Sequence, residues 1–315
     1  MSSHQLLTLL LQVWLPIALL VAAGGLWVRY RPDPPADKLR VCLNRLVVDV
    51  FAPPLLFALA AQAPIDRQTL TVPLLTLAGI LASLAILYPV LFHSPLGRGL
   101  APGSRAALLL AGGFGNVLFM GYPVLTFLYG APGGSYAAFA DVLASTPLLW
   151  TLGVWIATRL GHPGGHGARL LSTVLQLPPI WGFVLGFAVN LTDLSVGPLI
   201  EACRFMGQAT VPLMLFTLGL SIPWADLRPS RPVLAAVAVK LALAPLLVLL
   251  LARAVFGQLQ PAQTAAVLET AMPTMLMAMS FADRFGLDVR AAALTAGWSS
   301  LAFLLTLPAW IMVLR

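Results

Sequence analysis

Long apolar runs recur along the chain from Gln5 to Arg315, separated only by short polar intervals. A bilayer core of ~30 Å is crossed by about 20 helical residues. Segments of that length run Gln5 to Val28, Arg40 to Ala61, Thr69 to Phe92, Arg105 to Tyr129, Ser135 to Thr158, Arg169 to Asn190, Leu194 to Ile222, Arg231 to Phe256, Gln260 to Phe281 and Arg290 to Leu314. The pattern predicts an all-α membrane protein of about ten transmembrane helices, because a backbone surrounded by lipid must satisfy its own hydrogen bonds. The first run lacks a basic segment ahead of it and exceeds the apolar stretch of a signal peptide, so it counts as the first span.

Composition supports one integral membrane domain. The 315 residues are 59% apolar and only 9% charged, whereas soluble domains run near ~25% charged. No polar interval is long enough to fold separately. The net charge of +7 is carried by residues scattered singly through connections, which excludes a nucleic-acid face. Alternate connections hold Arg29, Arg31, Lys38 and Arg40, then Arg98 and Arg105, Arg159 and Arg169, Arg228 and Arg231, and Arg284 and Arg290. The intervening ones hold only Arg67 and Arg253. The positive-inside rule makes the first set cytoplasmic, so both termini lie outside and the number of spans is even. The expected location is the cell membrane, a bacterial inner membrane.

The two halves, 1–160 and 161–315, carry matching irregularities about 155 residues apart, the mark of inverted five-helix repeats. Leu15-Pro16 answers Leu177-Pro178, and Pro54-Leu55-Leu56-Phe57 answers Pro212-Leu213-Met214-Leu215-Phe216. Val154-Trp155-Ile156 closes the first half as Ala309-Trp310-Ile311 closes the second. Pro123 and Pro273 fall at corresponding places in spans four and nine, and Gly112, Gly113, Gly115 and Gly121 add permissive backbone to span four. Both spans are therefore expected to be broken helices. Freed amides cost several kcal/mol in lipid, so such breaks imply a shared interior site where protein, water or ligand supplies partners.

The run Gly115-Asn116-Val117-Leu118-Phe119-Met120-Gly121-Tyr122-Pro123 resembles the span-four signature of the auxin efflux carrier family of membrane transporters. Ala271-Met272-Pro273-Thr274, followed by Phe281-Ala282-Asp283-Arg284-Phe285-Gly286-Leu287-Asp288, resembles the matching span-nine region and its loop. The likeness extends over the whole chain, including Phe51-Ala52-Pro53-Pro54-Leu55-Leu56-Phe57 and Val211-Pro212-Leu213. It implies a ten-helix fold of two inverted repeats, shared with bile acid:sodium symporters, in which broken spans four and nine cross near the bilayer centre. It also implies transport of small organic anions. Val117 stands where a small polar residue often follows the asparagine in that family, removing a hydroxyl that a cation site would use.

If the second halves of spans four and nine begin near Tyr122 and Met272, their positive dipole ends converge on a cavity suited to a carboxylate. Candidate substrate-binding residues are Asn116, Gly121, Tyr122, Pro123, Thr270, Met272, Pro273 and Thr274, with Asn116, Thr270 and Thr274 supplying amide and hydroxyl groups. Lys240 and Glu269 each lie ~14 Å along their spans from opposite faces, near the midplane. They form either an ordering ion pair or a substrate-linked or cation-linked switch. Asp49 and Asp141 are further intramembrane charges, and Glu201 and Arg204 are spaced to pair locally.

Cys42 and Cys203 lie inside apolar segments, which supports neither a disulfide framework nor a metal cluster. His4, His93, His162 and His166 lie outside the spans, and the glycine-rich loop holding the last two reads as solvated. No nucleophile elbow, metalloprotease motif or Walker sequence is present. The leading reading is a secondary carrier of a small organic anion such as a carboxylate, not an enzyme. It needs no cofactor and is compatible with coupling to a sodium or proton gradient and with a homodimer. The alternatives are a sodium-coupled symporter of larger amphipathic acids, or a membrane-embedded ligand sensor or enzyme.

Overall fold

The computed structural model describes residues 14–30, 33–64, 66–161, 177–192, 196–224 and 227–314. All regular elements among them are helical. In chain order they are α1 (Leu15–Tyr30), α2 (Ala36–Ala61), α3 (Arg67–Phe92), α4 (Pro102–Gly113), α5 (Val117–Tyr129), α6 (Ala131–Leu160) and α7 (Pro178–Asn190). There follow α8 (Gly197–Gly207), α9 (Thr210–Ser221), α10 (Arg231–Phe256), α11 (Pro261–Thr270), α12 (Met277–Arg284) and α13 (Val289–Val313). Among the described residues α2, the Thr69–Phe92 part of α3, α6, α10 and α13 are long and apolar enough to cross a bilayer, and α1, α5 and α7 are shorter apolar helices.

Each described part of a predicted span falls on a helix, but not always on one. Spans four, seven and nine are divided into α4 and α5, α8 and α9, and α11 and α12. The sequence pattern signals no break in span seven; its division at Gln208 and Ala209 follows Gly207, which sits against Leu55 of α2. The beginnings of spans one, six and seven, together with Arg31, Arg169, His4, His162 and His166, lie outside the described residues.

Helix starts follow local chemistry. Asp66 caps α3 by accepting from the Thr69 N–H at 2.6 Å, and Asp288 caps α13 by accepting from the Ala291 N–H at 2.9 Å. Proline occupies the first turn of α4, α7, α8, α10 and α11, where its missing N–H costs nothing.

Four prolines further inside helices are preceded by widened π-type turns, whereas Pro73 and Pro89 of α3 and Pro308 of α13 sit in plain α-helix. Val47–Phe51 precedes Pro53, Val117–Gly121 precedes Pro123, Asp141–Ser145 precedes Pro147, and Val239–Leu243 precedes Pro245. Proline removes an amide donor and collides with the carbonyl one turn earlier, and a wider turn relieves both. Trp310 Nε1–H donates to the Leu241 carbonyl at 2.7 Å within one such turn. Pro123 therefore does not break span four, contrary to the reading from sequence. The interruption lies at Phe114–Gly115–Asn116, nearer the glycine cluster.

The helices fall into two groups, one of α1, α2, α7, α8 and α9, the other of α3–α6 and α10–α13. Within the first, α1 meets α9 and α7 meets α2 backbone to backbone. A Cβ at Gly219 would lie 2.1 Å from the Val21 carbonyl oxygen, and one at Gly186 would lie 2.2 Å from that of Phe57. Small residues permit such approach where apolar burial gives no preference for protein over lipid. Outward faces carry large apolar side chains such as Leu74, Leu185, Phe205, Val255 and Leu305, a surface matched to hydrocarbon.

Gly219→Val or Gly186→Val is expected to force these helices apart and cost about 1–3 kcal/mol or more. Gly197→Ala, which meets nothing within 4 Å, is the control. Thermal unfolding of purified protein followed by tryptophan fluorescence would show a lowered midpoint for the first two and an unchanged one for the control.

Candidate functional site at the crossing of two interrupted helices

The extended segment between α4 and α5 pairs antiparallel with that between α11 and α12. Gly115 bridges Thr274, the Asn116 N–H donates to the Pro273 carbonyl at 2.7 Å, and the Met275 N–H donates to the Phe114 carbonyl at 3.1 Å. Each break thus satisfies backbone groups freed by the other. Thr274 fastens the arrangement: its hydroxyl donates to the Ala111 carbonyl at 2.8 Å, and its N–H donates to Ser299 Oγ of α13 at 3.0 Å.

Lys240, 1% exposed, reaches from the wide turn of α10 and donates from Nζ to the Thr270 carbonyl at 2.9 Å. A cation thereby covers the negative end of the α11 dipole. It also lies over Gly115, where a Cβ would come within 2.8 Å of Nζ. Glu269 is fully buried, and neither carboxylate oxygen has a hydrogen-bond partner. Those oxygens rest against Gly121, where a Cβ would approach to 2.4 Å. The ordering ion pair expected as one role for Lys240 and Glu269 is not formed: the ion pairs found among the described residues are Arg40 with Asp37 and Arg204 with Glu201. The ammonium is hydrogen-bonded to a backbone carbonyl instead.

The amino ends of α5 and α12 lie at one cavity of about 50 Å³, bounded by Asn116, Val117, Met275 and Met277 and, across from them, by Asp141, Ser145 and Thr146 of α6. The first amides of a helix have no partner inside it, so both ends present donors and partial positive charge here. Asn116 is 3% exposed and its Nδ2 has no partner. An adjoining cavity of about 70 Å³ shares Phe119, Asp141, Thr146 and Met277 and extends between the two helix groups toward Val48 and Ile180.

Among the residues singled out from sequence, Asn116 and Asp141 line this cavity. Thr270 turns its hydroxyl back to the Ala266 carbonyl at 2.9 Å, Thr274 is engaged as described, Met272 is packed in the apolar core, and Pro273 takes part through its carbonyl. Gly121 faces Glu269, Pro123 lies within α5, and Tyr122 lines a different cavity. Asp49 is exposed on α2. The second halves begin at Val117 and Met277, not near Tyr122 and Met272. Ser145 and Thr146 were missed; the signal was Asp141 followed one turn later by Ser-Thr-Pro, which marks both a wide turn and polar groups on one face.

A model of a family described as membrane transport protein matches residues 12–163 and 169–311. A relative described as an uncharacterized transporter, from Methanothermobacter thermautotrophicus, is 30% identical over 275 residues, covering 86% of this chain and 88% of its own. Another, from Methanocaldococcus jannaschii, is 30% identical over 122 residues, 36% of this chain and 38% of its own. The chain belongs to the auxin efflux carrier-type family of membrane transport proteins. It is a multi-pass membrane transporter.

In this transporter the two buried charges have unequal structural weight. Lys240→Met leaves the Thr270 carbonyl buried without its partner and should cost about 1–3 kcal/mol. Glu269→Gln removes a carboxylate that accepts no hydrogen bond and should leave stability unchanged or raise it. Paired thermal unfolding of the two variants checks the asymmetry, and equal losses would contradict it.

Proposed function

We propose that the transporter is a secondary carrier that moves a small organic anion, such as a carboxylate, by alternating access. The observation that carries this reading is the meeting of two helix amino ends at one cavity beside the unpartnered Asn116 amide. Two positive dipole ends and an amide donor favour a negative group there. Small cavities of about 50 and 70 Å³ favour a small solute over larger amphipathic acids. Asn116, the amino ends of α5 and α12, Ser145 and Thr146 would hold the anion. Asp141 at the cavity and Glu269 behind it are the groups through which a proton or sodium gradient would act. The lining offers amide, hydroxyl and carboxylate groups without an activated nucleophile, so the reading is of a carrier and not an enzyme.

The same reading takes the chain as ten transmembrane helices in two inverted five-helix repeats, 1–160 and 161–315, with both termini outside the cytoplasm. Packing supports it. The first span lies on the seventh through Gly219, and the sixth on the second through Gly186. Exchanging the halves turns one contact into the other, and turns the crossing of spans four and nine into itself.

Purified protein in proteoliposomes, offered mono- and dicarboxylates with and without sodium or proton gradients, is expected to show saturable carboxylate flux. Asn116→Leu should lower that flux about tenfold or more, the worth of a hydrogen bond to a charged group, with unfolding temperature retained. Undiminished flux in the variant would remove Asn116 from the site, and absence of saturable carboxylate flux in the unaltered protein would defeat the carrier reading.

A further inference from the structure

A separate cavity of about 280 Å³ lies between the end of α2, α5, the start of α6 and α8. Its polar lining is Gln62, Tyr122, Thr126, Ser135 and Arg204, and the remainder is small or apolar. It occupies a different level from the crossing cavities. Along α6, Ser135 belongs to this cavity and Asp141 to the others; along α5, Tyr122 and Phe119 divide in the same way; along α2, Ala58 and Ala52 do. Between the levels stand the buried Leu56 and Phe139, members of one apolar cluster with Leu118 and Phe119. Apolar packing of that kind blocks a charged solute from passing between the levels.

The polar groups suit an anion. Arg204 extends from α8 across to α2, donating from Nη2 to Gln62 Oε1, while Nη1 lies 3.0 Å from Glu201 on its own helix. Both residues of that ion pair are partly exposed, and an exposed pair separated by one helical turn is worth only a few tenths of a kcal/mol. Glu201 is therefore replaceable by another carboxylate. The Thr126 hydroxyl is buried without a partner, although a hydroxyl can donate one hydrogen bond and accept others. The Ser135 hydroxyl is already directed to the Leu59 carbonyl at 3.3 Å. The free donor capacity thus comes from Arg204, Thr126 and Tyr122, around a floor of small residues.

We propose that this cavity is a second organic-anion site, in which a small carboxylate displaces Glu201 from Arg204 and receives a hydrogen bond from Thr126. A guanidinium presents parallel donors matched to both carboxylate oxygens. In the orientation given above, the cavity faces outside, placing a waiting position beyond the apolar layer from the crossing. The inference goes beyond the carrier reading and does not require it, because occupancy is measured without transport.

The test is isothermal titration calorimetry on the purified full chain with benzoate, succinate and inorganic phosphate as probes. An Asn116→Leu background weakens the crossing site, and the binding assigned to this cavity is the part that substitutions at Arg204 and Glu201 change. Benzoate or succinate should bind; adding Arg204→Gln should weaken binding at least tenfold, and Thr126→Val about threefold. Glu201→Gln, which frees the guanidinium, should tighten binding severalfold, a gain that misfolding would not produce. The proposal is overturned if neither carboxylate binds, if Glu201→Gln and Arg204→Gln leave affinity unchanged, or if phosphate alone binds. It is equally overturned if, in nanodiscs, anionic lipid abolishes all carboxylate binding, which would assign Arg204 to lipid headgroups. Loss of flux in proteoliposomes with this binding intact would count against the carrier reading and leave the second site standing.

Discussion

A helix interrupted inside an apolar assembly leaves amides and carbonyls that water cannot reach, and each costs several kcal/mol unless another group answers it. The central constraint on this protein is that two such interruptions answer each other. Asn116 donates to Pro273 and Met275 donates to Phe114, so neither break is tenable without its counterpart. The carbonyls at the carboxyl ends of the first halves are covered by Lys240 and the Thr274 hydroxyl. The first amides of the second halves have no partner within their own helices, and the residues that begin those helices line the cavity. The binding chemistry proposed for this site is in this sense the residue of an incomplete hydrogen-bond account.

The placement of charge follows the same logic. Lys240 is held at a helix carboxyl end, where a cation is favoured, and it overlies Gly115 because any side chain there would displace the ammonium. Glu269, one residue before the carbonyl that Lys240 takes, accepts no hydrogen bond. A buried carboxylate that accepts no hydrogen bond is costly in its charged form. Its retention beside Gly121, a position cleared for it by the lack of a side chain, argues for use and not for fold stability alone.

Much of this was legible in the sequence. Apolar runs placed the helices; the caps at Asp66 and Asp288 and the first-turn prolines that set several exact starts are local signals the span boundaries did not use. The crossing was legible as a pair of proline-bearing and glycine-bearing spans, and Asn116 as a polar residue within one of them. The position of the break in span four was not. Pro123 gives the stronger local signal, but a wide turn upstream absorbs it, and whether a helix widens or breaks depends on what packs against it. The break at Gly115 needs Thr274, about 160 residues away in the chain, and no local rule contains that pairing. Tyr122 shows the same limit: one turn along α5 was enough to move it from the crossing to the other cavity.

The hydrogen bonds at the crossing also constrain how a carrier of this construction would work. Its pairing partners, Lys240 on α10 and Ser299 on α13 included, all belong to the group formed by α3–α6 and α10–α13. Taking the crossing apart would expose several buried donors and acceptors at once, at a cost exceeding ordinary conformational gaps of a few kcal/mol. The cavities on the two levels, by contrast, are walled jointly by α2 from one group and by α5 and α6 from the other. The layer between them, Leu56 against Leu118 and Phe139, is apolar side chain on apolar side chain. Such contacts can slide at little polar cost, the Ser135 hydroxyl's 3.3 Å hydrogen bond to the Leu59 carbonyl being a polar link across the boundary that would have to be given up. Access would therefore change by displacing one helix group along this layer, with the anion site carried intact on the other.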